Sequence, residues 1–313
     1  MHRAGLPCRA RHYDGACRIL IRILFATLGA LWLASCGASG VDGEAPARDW
    51  PEPSPALWEA TGPDGERAFL FGTIHSLPDG ADWRTPALVE AIAASEILLV
   101  EIANLDDSDS AEREFFARAY DLEPVPLLDR VPAADRAALA AALDLAEIDP
   151  DSMIHTENWA AALQLGNAKR CTSSQNGVDR ALLDAVPDVR SLESFAEQFA
   201  IFDALPDAAQ ADLLMSVANE RGCAAGEERV MAWLTGDLAA LEASITQGFR
   251  GNADLQSRLL DRRNANYVAD IVALHAERPD ADLLVAVGTG HMLGDSGVPA
   301  LLAAQGYTVR RIQ

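Results

Sequence analysis

Positive charge is scarce in this chain. Over 313 residues, 25 Lys and Arg stand against 47 Asp and Glu, a formal charge of −22. The first 36 residues hold five Arg and one Asp, so the remainder has 20 basic and 46 acidic residues and a net charge of −26. A surface that acidic repels nucleic-acid phosphates and anionic headgroups, which excludes a general DNA or RNA binder. A bilayer-spanning run is also missing at the N-terminus: the apolar stretch 23–33 has 11 residues, too few to cross a membrane and the size of a signal-peptide core. Disorder is excluded in turn, because half of the residues are apolar and can bury a sizeable core.

Cysteine is sparse, with five residues. The apolar run ends Leu33-Ala34-Ser35-Cys36, small residues before a Cys that resemble a bacterial lipobox. That implies cleavage before Cys36, lipidation of its thiol and a lipoprotein of the cell envelope facing the periplasm, at the outer membrane because Gly37 and not Asp follows. The only membrane contact expected is this lipid. Residues 1–36 are read as the leader, 37–55 as a Gly/Ala/Ser/Pro-rich tether, and 56–313 as one domain. Cys8 and Cys17 leave with the leader. Cys171 and Cys223 remain, in polar, turn-like surroundings, and an oxidising compartment makes them a disulfide rather than two separate thiols.

Short strands are expected at 58–61 and 68–73, around a Gly-Pro-Asp-Gly turn. A helix follows at 86–94, opened by Pro86, then a buried strand at 97–102 ending near Glu101. Helices are expected at 111–120, 133–145, 157–169 and 178–185, and a strand at 189–192. Residues 194–275 read as almost all helical, broken at Pro206, Gly222 and Gly236. A strand at 283–287, a helix at 298–305 and a strand at 307–312 close the chain. Strands near both ends and helices between them predict an α/β fold: a sheet core with a large helical insertion. The runs 97–100 and 283–287 are apolar at every position, as strands covered on both faces must be.

Beyond the leader there are only four His: His75, His155, His275 and His291. Two share one setting. Phe69-Leu70-Phe71 leads into Gly72-Thr73-Ile74-His75, and Leu284-Val285-Ala286-Val287 leads into Gly288-Thr289-Gly290-His291. A Gly at a strand end allows a sharp turn and a close approach to a ligand. The His then projects from the strand's C-terminal end, where open α/β sheets bind ligands. Glu101 ends another apolar run. Two imidazoles and a carboxylate suit Zn²⁺, Mn²⁺ or Co²⁺, and equally suit metal-free acid–base catalysis. His155 and His275 lack this context; His275 ends a helix, where a cation suits the dipole. On a helix from 252 to 275, Leu255, Leu259, Leu260, Tyr267, Ile271 and Leu274 form an apolar arc that contains Arg263, with Asn264 at its rim. An Arg there needs an anionic partner, either a group of the site or Asp270 as a structural ion pair.

The motifs 71–75 with Leu77-Pro78, Val100-Glu101-Ile102, Asn176-Gly177-Val178-Asp179, Ser191-Leu192-Glu193, 199–206, Arg263-Asn264 and 287–291, taken in this order, resemble the TraB/GumN family, whose relatives include the animal Tiki proteases. The resemblance runs from about Leu57 to the C-terminus. In the Tiki branch the paired Gly-x-x-His motifs and a Glu go with metal-dependent proteolysis, which implies His75, Glu101 and His291 as metal ligands here. The family's other motif positions fall on Asp179, Glu193, Arg263 and Asn264. Three functions stay open: a lipid-anchored metal-dependent hydrolase of peptides or small molecules, with Glu101 as ligand or base and Arg263 or Asn264 holding an oxyanion; a metal-free hydrolase or transferase with His75 or His291 as base; and a non-enzymatic module that binds a peptide or haem.

Overall fold

The computed structural model describes residues 50–313, apart from Leu122 and Arg221. The leader, the lipobox with Cys36, and Cys8 and Cys17 lie outside the described residues. Of the stretch read as tether, residues 50–55 lie against the domain: Ser54 donates its N–H to Leu234 O at 2.6 Å, and Pro55 O accepts from Gln313 Nε2 at 2.7 Å.

Six strands form one mixed sheet: β1 (Leu57–Thr61), β2 (Arg67–Thr73), β3 (Ile97–Val100), β4 (Asp188–Ser191), β5 (Leu283–Gly288) and β6 (Thr308–Arg311). Their order is β4-β3-β5-β2-β1-β6. The pairs β2–β5, β5–β3 and β3–β4 are parallel, so four adjacent strands end at one edge, while β1 runs antiparallel to β2 and β6. The pleat sends alternate residues to opposite faces. Ala68, Leu70, Ile97, Leu99, Leu283, Val285 and Val287 go to one core layer, and Phe69, Phe71, Leu98, Val100, Leu284 and Ala286 to the other. Both faces are covered, which explains the uninterrupted apolar runs.

The helices are α1 (Pro86–Ala94), α2 (Ser108–Phe116), α3 (Arg136–Leu145), α4 (Asn158–Ala168), α5 (Val178–Leu182), α6 (Phe195–Asp203), α7 (Asp207–Asn219), α8 (Cys223–Leu234), α9 (Leu238–Gly248), α10 (Ala253–Gln256), α11 (Arg262–Glu277) and α12 (Val298–Ala304). Those from α2 to α11 lie between β3 and β5 with β4 as the one strand among them, so the helical insertion is real. Local chemistry sets their ends. Thr85 caps Leu88 N ahead of Pro86 in α1, and Ser194 with Glu197 makes a capping box on α6, which satisfies amide donors that would otherwise be left over. The insertion has its own apolar core of Leu139, Leu143, Leu165, Leu214 and Met215, plus an aromatic group of Phe115, Trp159 and Phe199.

Two expectations change. The helical stretch also breaks at Arg250 and Gly251, both at positive φ, and the expected helix from 252 to 275 is a short α10, a π-helical turn Ser257–Asp261, and α11. His275 is not a charged helix-end group. It is buried, its Nδ1 lies 2.8 Å from Tyr307 Oη, and burial lowers its pKa.

Candidate functional site

The four parallel strands deliver their C-terminal ends to one place. Thr289 Oγ1 donates to Thr73 O at 2.8 Å, tying the ends of β2 and β5 together, and Trp233 Nε1 of α8 donates to Gly72 O at 2.8 Å. Glycine serves close packing here rather than unusual backbone angles. A Cβ at Gly72 would lie 2.9 Å from Thr289 Oγ1, and one at Gly288, whose φ is −48°, 3.1 Å from Glu101 Oε1. The close approach expected toward a ligand is instead an approach to the protein's own site residues. The same Cβ position at Gly288 is 3.7 Å from His75 Nε2 and 3.8 Å from His291 Cδ2. His75, Glu101 and His291 therefore surround one point, as the sequence motifs require.

Each imidazole is held by its Nδ1. His75 Nδ1 is 2.8 Å from Asp179 Oδ2, whose other oxygen accepts from Thr73 Oγ1. Asp179 lies in the first turn of α5, and Gly177 before it packs so closely that a Cβ would sit 2.5 Å from His75 O. His291 Nδ1 is 2.5 Å from Asn264 Oδ1, while Asn264 Nδ2 donates to Ser296 O at 2.8 Å. The amide orientation is thus fixed, so neutral His291 carries its proton on Nδ1 and leaves Nε2 bare. The two rings differ in access. The His75 side chain is 69% exposed and the His291 side chain 5%.

Glu101 follows β3. Its Oε1 accepts the Gly288 N–H at 2.8 Å, and its Oε2 accepts from Arg263 Nη2 at 2.7 Å and Gln198 Nε2 at 3.4 Å. Arg263 also donates Nε and Nη2 to the two oxygens of Glu193, at 2.8 and 2.7 Å, Nη2 to Tyr267 Oη at 2.9 Å and Nη1 to Leu259 O at 3.1 Å. Glu193 N in turn donates to Glu101 O at 2.9 Å. The anionic partner that Arg263 demanded is this carboxylate pair; Asp270, two turns further along α11, is exposed. Through these bonds Arg263 positions Glu101 and Asn264 positions His291.

The charges follow from these contacts. Asp179 raises the His75 pKa to about 9. Burial disfavours ionised Glu101, but His291, Arg263, His75 and the Gly288 N–H outweigh it and hold its pKa at about 2. Burial lowers His291 to about 4. Burial opposes the Arg263 charge, yet Glu193 and Glu101 raise its pKa overall.

The donor types suit a divalent cation, but their arrangement does not. Among the described residues, no group of three or more His, Cys, Asp or Glu side chains is placed to hold a metal ion. Glu101 Oε2 is bonded to Arg263 at 2.7 Å, a guanidinium that it shares with Glu193. The ligand set His75, Glu101 and His291 is brought together without forming a coordination sphere.

A cleft of about 250 Å³ opens onto His75, Glu101 and Asp179, walled by Val100, Ile102, Leu105 and Phe195. Gln198 is a part of the site without a signal in the sequence, since it acts through Glu101, 97 positions away; Thr73 and Tyr267 are visible as motif and arc positions, but not as partners of Asp179 and Arg263. His155 stands apart, bonded to Asp121 O at 3.1 Å. Cys171 and Cys223 form a disulfide with Cα atoms 5.4 Å apart, at the base of the loop carrying Ser174 and Gly177, which also line the cleft. The sequence model of the TraB/PrgY/gumN family matches residues 56–311. Neither a curated protein nor a solved structure matches the chain.

Proposed function

The chain belongs to the TraB/PrgY/gumN family, and on that premise we propose that it is a hydrolase of peptides or related acyl compounds in which His75 and Asp179 carry the proton transfer. The observation that supports this reading is the 2.8 Å contact between His75 Nδ1 and Asp179 Oδ2, on an exposed side chain that lines the cleft. A base oriented through one nitrogen by a carboxylate, with its second nitrogen open, is the arrangement that activates a nucleophile. Here neutral His75 accepts a proton from water at Nε2, and the resulting imidazolium returns it to the leaving group. Glu101, ionised beside that nitrogen, favours the imidazolium. The buried network of Arg263, Glu193, Tyr267 and Asn264 keeps Glu101 and His291 in place.

The metal-dependent form implied by the resemblance to the Tiki branch would need His75, Glu101 and His291 to close around one ion. The anchoring we propose is a lipid on Cys36, which places the domain in the periplasm at the outer membrane. It is supported by the 11-residue apolar run and the Leu33-Ala34-Ser35-Cys36 ending. The test of the function is a peptidase screen of the purified mature chain, with and without chelator, alongside His75→Gln. The expected result is turnover lost in His75→Gln and insensitive to chelator. Turnover that survives His75→Gln contradicts the reading, and turnover abolished by chelator and restored by Mn²⁺, Co²⁺ or Zn²⁺ returns the metal-dependent form.

A further inference from the structure

Arg170 lines the same cleft as His75, and it is the charge there that the protein leaves unmatched. Every other charged group on the cleft wall has an opposite partner: Glu101 has Arg263, Asp179 has His75, and Arg180 has Asp106. The Arg170 side chain makes no hydrogen bond or ion pair with any described residue, although it is near enough to His75 to oppose that ring's protonation. In a chain with 47 acidic and 25 basic residues, carboxylates are abundant partners for a cation. Arg170 is exposed while lining the cleft, so its guanidinium is available to something that enters there.

The backbone around Arg170 is held. Its N–H donates to Asn167 O at 3.2 Å, Cys171 is tied to Cys223, and Thr172 Oγ1 donates to Ser76 Oγ at 2.8 Å. The same cleft offers apolar wall at Val100, Ile102, Leu105 and Phe195. An occupant that matches both features has an anionic oxygen group next to an apolar body.

We propose that Arg170 is a specificity-determining residue that binds an anionic oxygen group of the substrate, a carboxylate or a phosphate, while the apolar wall takes the adjoining group. In a peptide this is the α-carboxylate of an apolar C-terminal residue. A guanidinium is planar and presents paired donors that match either anion. The inference rests on the cleft being the hydrolase's substrate site, yet anion binding is measurable without turnover.

The test titrates the mature chain calorimetrically with three probes: benzoyl-glycyl-phenylalanine, its C-terminal amide, and phenyl phosphate. Wild type, Arg170→Gln and Arg170→Lys are compared, with melting temperatures checked. Wild type should bind an anionic probe at least about tenfold more tightly than the amide, the scale of one charge-assisted hydrogen bond. Arg170→Gln should erase that preference, and Arg170→Lys should keep part of it. Preference for the acid identifies a carboxylate; binding of phenyl phosphate alone identifies a phosphate. Turnover of the peptides is followed in the same samples. Arg170-dependent binding without turnover defeats the hydrolase reading and leaves the anion site standing. Turnover of acid and amide alike in wild type and Arg170→Gln does the reverse. Equal affinity for acid and amide without phosphate binding, or no binding of any probe, overturns the inference.

Discussion

His75 and Asp179 meet at 2.8 Å across a separation of 104 positions. This contact sets the charge of the exposed imidazole, while burial sets that of His291 in the opposite sense. NMR titration of the ring protons should find His75 with a pKa well above 6.5, toward about 9, and His291 well below it, toward about 4. The signs for stability are opposite. The contribution from the His75–Asp179 pair is complete below pH 6.5 and lost as pH rises through the folded pKa. His291 is neutral in the fold, so its contribution is present above pH 6.5 and lost as pH falls through about 4. Melting temperature against pH should therefore fall on both flanks, and His291→Gln should flatten the acid one.

Removing Arg263 should be among the most damaging single changes. Arg263→Met leaves Glu101 and Glu193 buried together without a cation, a loss of about 3–5 kcal/mol for a broken buried ion pair. Denaturant unfolding should show it as a lower midpoint at unchanged slope. Arg263→Met combined with Glu193→Gln should recover part of the loss, because one of the stranded charges is gone. No recovery would mean that Glu193 is not the partner that matters.

Gly177 should not tolerate a side chain. A Cβ there meets the main-chain oxygen of His75 at 2.5 Å, so the backbone must move, and overpacking of this kind costs about 1–3 kcal/mol. Gly177→Ala should lower turnover as well as stability, since the same shift carries Asp179 away from His75. By contrast Gly226, with open space at its Cβ, should accept Ala with no loss of turnover.

The disulfide should stabilise the cleft loop. Closing a loop with a sequence separation of 52 lowers the entropy of the unfolded chain by an amount worth about 4 kcal/mol in the chain-entropy estimate. The double substitution of Cys171 and Cys223 by Ser should reduce the melting temperature. An unchanged melting temperature would indicate that the loop's own hydrogen bonds, such as Thr172 to Ser76, suffice.

Much of this fold is legible in the sequence because burial on both sheet faces demands unbroken apolar runs, and those at 97–100 and 283–287 mark β3 and β5 directly. The two Gly-Thr-x-His segments are legible as a pair, and their strands prove adjacent and parallel. What periodicity cannot supply is the partner. It put Arg263 on a buried stripe and left Asp270 as a rival to the site carboxylates, because a helical period fixes a face and not what lies opposite. The same limit applies to His275: its position at a helix end suits a cation, whereas its burial against Tyr307, a partner 32 positions away, does not. The glycines of the motifs were visible, but their purpose, room for Thr289 and Glu101, depends on contacts between strands.

The central claim is that His75, oriented by Asp179, transfers the proton. The measurement that tests it most directly is the pH–rate profile of peptide turnover for wild type and Asp179→Asn. In wild type the rate should rise with pH as His75 loses its proton, with an inflection above 6.5, toward about 9. In Asp179→Asn the inflection should move down toward 6.5 and the plateau should drop by roughly 10²-fold or more, the scale of losing an oriented general base. An inflection that stays where it was, with an undiminished plateau, would contradict the account.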